Sequence, residues 1–347
     1  MAYIVRSNYD VKVGTHLALQ KGVAKRGVFE APSNYNVYTA NQAPAKPFLK
    51  WAGGKGQLLE QISRYLPPSL LNGSIKRYVE PFVGGGAMFF YLASSGYQSS
   101  IDEFFIYDVN PELILAYKTI KLDVYALIDA LLKIQSKYWS MSDIEKSQYF
   151  YYVRQLFNSK RRSIDFNVFS SNWVERAAQI IFLNRTCFNG LFRVNSRGEF
   201  NVPCGKYKKP LICNVDNLKA ISLVLQKTCI ELGDFTKCKD YVDDKTFVYF
   251  DPPYRPISST ANFTGYSQNI WHDSEQLRLR DFFAELDGFG AKLLLSNSDP
   301  KNENINDNFF EDAYNAYRIE RVKAARKINC NASKRGQINE LLIMNYE

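Results

Sequence analysis

The tetrapeptide Asp251-Pro252-Pro253-Tyr254 is the part of this chain whose residue types and order best suit a reaction. It closes the apolar run Phe247-Val248-Tyr249-Phe250, which reads as a buried strand. A strand ending this way sets a carboxylate at the carboxyl edge of its sheet, where open α/β folds bind ligands. The two prolines lock φ and leave their carbonyls without competing amide donors. The Asp251 carboxylate and the Pro252 carbonyl can then both accept from one NH2 group. An aryl amine is a poor nucleophile because its lone pair is delocalised into the ring. Two acceptors favour an sp3-like nitrogen and help it shed a proton. Tyr254 adds a flat face on which a purine can stack. The bland alternative is a proline turn with Asp251 as a cap. At average residue usage the tetrapeptide arises by chance in such a chain roughly once in a thousand, which weighs against that alternative.

Other segments offer weaker signals. Glu80-Pro81-Phe82-Val83-Gly84-Gly85-Gly86 sits between a strand-like run and a helix-like one, so its glycines would let backbone approach a ligand at a positive helix end. A plain tight turn explains it equally well. Asp108 ends the next strand-like run, where an acid commonly holds ribose hydroxyls or is simply solvated. Gly53-Gly54-Lys55-Gly56 fails the G-x-x-x-x-G-K-[ST] pattern of a phosphate loop, and no strand precedes it. Cys204 follows Pro203 as a nucleophile toward a cytosine ring would, yet it lies in a polar hairpin and reads as a bystander. The six cysteines and two histidines form no C-x-x-C pair, so neither a zinc site nor a disulfide framework is expected.

The elements that must position these residues follow from periodicity and breakers. Gln57–Leu66 has helical spacing and stops at Pro67-Pro68. Arg77–Glu80 reads as a strand, Ala87–Ala93 as a helix, Phe104–Tyr107 as a second strand, and Asn110-Pro111-Glu112 as a helix start. Residues 123–185 turn helical, tyrosine-rich and charged, and 186–210 read as an irregular hairpin. The α/β pattern resumes at Phe247, with a helix over Ser274–Leu286 and strands at Lys292–Leu295 and Glu340–Met344. The expected fold is α/β: a Rossmann-like sheet, split by a helical and hairpin-bearing insertion. The implied boundaries are an extension of unknown role over 1–45, a ligand-binding domain over 46–122 and 215–347, and the insertion over 123–214.

The whole chain is compatible with that plan. Its 347 residues suffice for one large domain with an insertion, and 46% hydrophobic against 23% charged residues is a globular balance. No apolar run approaches the ~18 residues of a membrane span, and the first ten residues lack a signal-peptide plan, so a cytoplasmic protein is expected. The net charge of +9 modestly favours a polyanionic partner. Between Arg185 and Lys209 six basic residues (Arg185, Arg193, Arg197, Lys206, Lys208, Lys209) face one acid, Glu199, with Phe188, Phe192, Phe200 and Tyr207 interleaved. A solvated basic hairpin is one reading; an element that grips phosphates and reads bases is the other.

Taken together, Phe48-Leu49-Lys50-Trp51-Ala52-Gly53-Gly54-Lys55, the Pro81–Gly86 turn, Asp251–Tyr254 and Ala261–Tyr266 resemble the Dam family of adenine-N6 DNA methyltransferases in residues and in order. The match spans about residues 46–345. The resemblance implies an S-adenosylmethionine-dependent methyltransferase fold, with S-adenosylhomocysteine as product and no metal. It implies that Trp51, Lys55, Pro81, Phe82, Gly84 and Gly86 contact the cofactor, with Lys55 near its carboxylate. Asp108 would hold the ribose, and Asp251 would lie beside the transferring methyl, with Pro252 and Tyr254 completing the catalytic set. Without the resemblance Trp51 is an ordinary core aromatic and Lys55 a surface cation.

The run Asn189–Pro203 also resembles the recognition hairpin of family members that read GATC. That implies Arg193 bidentate on a guanine edge, Leu191 and Pro203 in apolar contact with bases, and Arg197 among the basic residues toward DNA. Asn189 and Tyr207 would sit near the space left by the adenine, and Lys50 would contact the outer guanine. Phe192, Val194 and Cys204 depart from the family pattern and could retune the preference. A duplex adenine cannot reach Asp251 while stacked, so base flipping is expected, with Asn262–Tyr266 closing over the base. The polar segment with Asn329, Asn331, Lys334 and Arg335 reads as a further phosphate contact or a solvated loop. Methylation of RNA or of a protein amide uses related Pro-Pro-Tyr motifs and stays open. The expected partner is double-stranded DNA, the expected state a monomer, and the setting restriction-modification, phage or regulatory.

Overall fold

A computed structural model describes residues 44–51, 53–95, 97, 100–255, 271–325 and 337–347. Residues 1–43 of the expected arm, the Ala261–Tyr266 segment with Asn262, and Asn329, Asn331, Lys334 and Arg335 lie outside the described residues. The chain passes through two one-turn helices, α1 (Leu59–Ile62) and α2 (Pro68–Leu71), then β1 (Arg77–Glu80), α3 (Ala87–Ser94) and β2 (Glu103–Asp108). Five helices follow: α4 (Pro111–Leu122), α5 (Val124–Ser140), α6 (Asp143–Ser159), α7 (Ser171–Thr186) and α8 (Val215–Gln226). The remainder is β3 (Thr228–Leu232), β4 (Thr246–Phe250), α9 (Asp273–Asp287), β5 (Lys292–Ser298), α10 (Phe309–Ala313), β6 (Arg318–Ala325) and β7 (Gln337–Met344).

The strands form one seven-stranded sheet in the order β3-β2-β1-β4-β5-β7-β6. The first five are parallel; β7 runs antiparallel to β5 and β6 antiparallel to β7. This is the expected α/β, Rossmann-like sheet, with the helical segment inserted between β2 and β3. The chain builds outward from β1 to β2 and β3, then returns to place β4 on β1's other side. The strand order therefore reverses between β1 and β4, and their carboxyl ends, Glu80 and Phe250, flank the crevice such a switch creates.

Strand alternation assigns β4 to two cores. Phe247 and Tyr249 pack with Tyr78, Phe104 and Leu294 beneath the helices α3–α8. Val248 and Phe250 pack on the opposite face against Leu279, Phe282 and Phe283 of α9. Every residue of β4 is buried, as a strand covered on both faces must be. The helical segment after β2 shares the first core through Leu127, Leu131, Phe150 and Phe182. One buried ion pair ties it down: Arg176 of α7 donates to both Glu112 carboxylate oxygens at the start of α4 and to the Phe157 carbonyl. No described helix is long and apolar enough to cross a membrane.

Local expectations mostly hold. Asn110 caps α4 by accepting from the Glu112 and Leu113 amides, with Pro111 in the first turn. Gln57–Leu66 differs: instead of one helix it forms a 3-10 turn at Lys55–Gln57, then α1, then a second 3-10 turn at Ser63–Tyr65. Leu66 is already extended, as the following proline requires. The unforeseen strands are β3 and β6. β3 mixes polar and apolar residues, and β6 is an edge strand bearing Arg318, Glu320, Arg321 and Lys323.

Candidate active site

Asp251 emerges from β4 beside β5, and three strands contribute to its surroundings. Its Oδ1 accepts from Lys55 Nζ at 2.7 Å and from Ser296 Oγ of β5 at 3.1 Å. Ser296 Oγ lies 3.0 Å from the Tyr249 hydroxyl, so with Ser296 donating to Asp251 the tyrosine donates to the serine. The Asp251 Oδ2 takes no donor among the described residues, and neither does the Pro252 carbonyl. The backbone beyond is pinned: Gln276 donates to the Pro253 carbonyl, and Asn297 Oδ1 accepts the Arg255 amide. The Arg255 guanidinium is itself held by Asp273 and Asp307.

Lys55 is no surface cation. Only 3% of it is exposed; besides Asp251 it donates to the Gly53 carbonyl at 2.8 Å, and it lies 4.5 Å from the centre of the Tyr254 ring. A second carboxylate, Glu340 of β7, is 4.0 Å from Nζ and accepts the Tyr254 hydroxyl at 2.5 Å. A third, Glu80 at the end of β1, is buried and accepts from the Tyr78 hydroxyl at 2.7 Å. Burial raises the pKa of all three carboxyls. For Asp251 the Lys55 ammonium and the Ser296 hydroxyl work against that rise. For Glu340 Lys55 and Tyr254 do so, and for Glu80 the Tyr78 hydroxyl is the main opposing influence.

Asp251, Lys55, Tyr254 and Glu80 open on a cleft of about 1040 Å³. A single drug-sized ligand typically occupies a site of about 300–1,000 Å³, so two reactants side by side can be held. Trp51, Lys55, Phe82, Gly84, Gly86 and Asp108 line it together with Asp251, Pro252 and Tyr254; Pro81 is buried outside the lining. Trp51 stacks on Phe192 with ring centres 5.4 Å apart. Its indole edge fills the space over Gly84, whose φ is +45° and where an added Cβ would come within 2.8 Å of the ring. Asp108 accepts the Gly84 amide through one oxygen and the Asn110 amide through the other. Burial lifts its carboxyl to about 6, against the pull of those amides. The remaining lone pairs suit a pair of hydroxyls, and the carboxylates Asp108, Glu80 and Asp251 with the aromatic walls of Trp51 and Phe82 suit a cationic sulfonium carrying a ribose. The residues present therefore fit S-adenosylmethionine. Among the described residues no group of three His, Cys, Asp or Glu side chains is placed to hold a metal ion.

The basic hairpin stands beside this cleft. It is irregular, with isolated bridges pairing Cys187 with Cys204 and Val194 with Phe200. Asn184 joins it to the segment before Trp51 by accepting the Lys50 amide and donating to the Lys50 and Gly190 carbonyls. Gly190 has φ +67°, and Lys50 lies so close across it that a Cβ would meet the lysine stem at 2.3 Å. The Lys50 ammonium is 5.2 Å from the Tyr207 ring centre, which brings Lys50, Gly190 and Tyr207 together. Asn189 is exposed and left-handed, φ 58°, a conformation asparagine tolerates. Arg193 donates to Asn201 Oδ1, Arg197 and Pro203 are exposed, and Leu191 is partly buried. Arg185 is tied instead to the Phe48 carbonyl. Cys204 does not line the cleft, and burial raises its thiol pKa, which makes it a poor nucleophile.

Sequence reasoning missed Glu80, Ser296 and Glu340 as site members, together with Arg161 and Arg162, which line the cleft from beyond α6. Ser296, Glu340, Arg161 and Arg162 arrive from other parts of the chain with no local motif to announce them. Glu80, the strand-end acid that opens the Glu80–Gly86 turn, was the one available signal.

A reversed α/β sheet, an acid-ended strand with two open acceptors and a cleft that fits S-adenosylmethionine are the parts that methyl transfer to an amine requires. Comparison with known proteins supplies the particular class: residues 51–328 match the model of the D12 class of N6 adenine-specific DNA methyltransferases, and the chain belongs to that family. It is 46% identical over 302 residues to the type II methyltransferase M.MjaIII of Methanocaldococcus jannaschii, covering 87% of this chain and 99% of that one. The type II methyltransferase M1.LlaDCHI of Lactococcus lactis is 38% identical over 313 residues, covering 90% and 99%. The DNA adenine methylase of Haemophilus influenzae is 33% identical over 298 residues, covering 86% and 92%. The activity is therefore N6 adenine methylation of DNA, and the methyltransferase family implies S-adenosylmethionine as donor.

Proposed function

We propose that the chain methylates N6 of an adenine flipped out of duplex DNA, within GATC or a closely related sequence. The observation that carries this reading is the pair of open acceptors, Asp251 Oδ2 and the Pro252 carbonyl, on a rigid strand end at the cleft. S-adenosylmethionine supplies an electrophilic methyl carbon on its sulfonium. The two acceptors take the N6 hydrogens and turn the nitrogen lone pair out of the ring. Tyr254 supports the base, while Lys55 holds Oδ1 and so leaves Oδ2 to the substrate. As the N6–methyl bond forms and the sulfur–methyl bond breaks, N6 becomes cationic, and Asp251 Oδ2 receives the proton it sheds. A carboxyl whose pKa burial has raised is the better acceptor for that proton. Positioning and a fixed electrostatic field carry the catalysis.

Residues 123–214 serve as the target-recognition insertion in this reading, and 46–122 with 215–347 as the catalytic domain. Arg193 pairs with a guanine edge, Lys50 contacts the outer guanine, and Leu191 and Pro203 touch base edges. Asn189 and Tyr207 stand by the vacated stack, Arg197 reaches a phosphate, and Asn262, outside the described residues, is a further DNA contact. GATC rests on the resemblance of the hairpin and on relatives named as DNA adenine methylases; the type II relatives favour a restriction-modification setting. The enzyme acts as a cytoplasmic monomer. Transfer of label from S-adenosylmethionine into DNA, followed by sequencing of the methylated adenines, tests the reading. Label in RNA or protein but not DNA would overturn it.

A further inference from the structure

Glu340 belongs to no motif of the active site and lies beyond the residues that match the family model. It nevertheless meets both side chains that flank Asp251. Its Oε2 accepts the Tyr254 hydroxyl at 2.5 Å and lies 4.0 Å from Lys55 Nζ. The carboxylate is mostly buried, with 14% of the side chain exposed. β7 is an inner strand, paired with β5 through Ser298 opposite Glu340 and with β6 through Val322 opposite Glu340. The carboxylate therefore reaches the site from a fixed register. A bond to the hydroxyl adds a restraint at the far end of a phenol ring beyond what packing supplies, and Glu340 is the partner the structure gives the Tyr254 hydroxyl. The same ring carries the Lys55 ammonium on one face.

We infer that Glu340 is a positioning residue for methyl transfer: it anchors the ring against which the target base is held, and it shares the lysine that fixes Asp251. The inference rests on the reading of Tyr254 as support for an extruded adenine. The titratable groups around Glu340 are Lys55 from the turn before α1, and Asp251, Tyr254 and Tyr249 from β4 and its end. Its cross-strand neighbours, Val322 and Ser298, carry no charge. One ammonium thus stands between two carboxylates, at 2.7 Å from Asp251 and 4.0 Å from Glu340. Removing the Glu340 charge leaves Lys55 wholly to Asp251, whose ionised form then persists to lower pH.

Two variants separate the anchor from the charge. Glu340→Gln keeps an acceptor for the Tyr254 hydroxyl and loses the charge. The acid limb of kcat against pH should move to lower pH, with a modest loss in rate at neutral pH. Glu340→Ala loses both, and kcat should fall by on the order of 10²-fold, the scale of a misplaced reactive group. Tyr254→Phe should add little further loss to Glu340→Ala, because the same contact is already gone. Affinity for S-adenosylmethionine, measured by calorimetry, should be unchanged in both Glu340 variants. A duplex bearing the mapped methylation site with 2-aminopurine at the target position reports extrusion separately. Brightening with the unaltered protein and less with Glu340→Ala supports the inference. A Glu340→Ala protein with unaltered kcat, pH profile and brightening overturns it. Absence of brightening with the unaltered protein counts against base extrusion alone, and the pH profile of Glu340→Gln then decides for or against Glu340; that profile also decides if Glu340→Ala fails to fold.

Discussion

The strand end at Asp251 and the hairpin over 186–210 differ in how they present their polar side chains. Around Asp251 each partner comes from a different secondary element: Lys55 from the turn before α1, Ser296 from β5, Gln276 from α9 and Glu340 from β7. The hairpin is held by two isolated bridges, by Asn184 of α7, by Arg154 and Asn158 of α6 on its Val202 and Phe200 backbone, by the burial of Phe192, Phe200 and Val202, and by contacts among its own side chains, such as Asn195 with Glu199. It leaves Phe188, Asn189, Arg197 and Pro203 exposed. Chemistry needs atoms fixed before the substrate arrives, because a misplacement near 1 Å costs about 10²-fold in rate. Base reading needs side chains that can settle on a deformable duplex, where each good bidentate contact contributes about 1–3 kcal/mol. The contrast predicts large, all-or-none losses on one side and graded losses on the other.

Removing the carboxylate tests the rigid side most severely. Asp251→Ala should lower methyl transfer by on the order of 10³-fold or more, while gel-shift affinity for DNA stays close to that of the unaltered protein. Residual activity within tenfold, taken as about 1.4 kcal/mol, would mean that the Pro252 carbonyl and the cleft suffice without it.

Lys55→Met should come next, with kcat lower by on the order of 10²-fold. Its signature is the pH profile. Burial raises the Asp251 pKa and Lys55 opposes that rise, so loss of the ammonium raises it further. Transfer needs the ionised carboxylate, and the acid limb of kcat therefore moves to higher pH, opposite to the shift expected for Glu340→Gln. An unmoved limb would show that Asp251 does not govern the profile.

The two regions also differ in how far they could be read from residues alone. The catalytic strand end announces itself because its chemistry is contiguous: an apolar run, an acid and two prolines in a row. Its support does not, since Ser296 and Glu340 reach it from β5 and β7, some 45 and 89 residues further along the chain. Lys55 carried a local signal, but its burial and its bond to Asp251 follow from the packing of the 51–57 segment on the switch point. β6 escaped because an edge strand with one wet face shows charge where a buried strand shows none. The α4 start was legible down to its cap, because Asn-Pro-Glu is a local physical instruction.

On the adaptable side, Arg193→Ala should relax discrimination at one guanine by about 1–3 kcal/mol, roughly 5- to 150-fold, with little change at other positions. Methylation rates on duplexes altered one base pair at a time measure this. Equal losses at every position would make Arg193 a phosphate contact.

The smallest effect expected is that of Lys50→Ala, and it asks whether the two regions are separable at all. Lys50 directly precedes Trp51 in the cleft wall, yet its stem packs across Gly190 and its ammonium approaches the Tyr207 ring. The Asn184 side chain bonds the Lys50 backbone and the Gly190 carbonyl, so truncating the Lys50 side chain leaves that joint intact. If Lys50 meets DNA through the ammonium alone, affinity should weaken slightly and the slope of log affinity against log salt should flatten by about 0.9 for a phosphate contact. A contact to a guanine edge would instead show as lost discrimination at the outer base pair. In both cases kcat at saturating DNA should hold, because nothing around Asp251 has moved. A fall in kcat with the salt slope unchanged would show that the hairpin and the strand end move as one body, and the rigid-versus-adaptable division would have to be redrawn at Gly190.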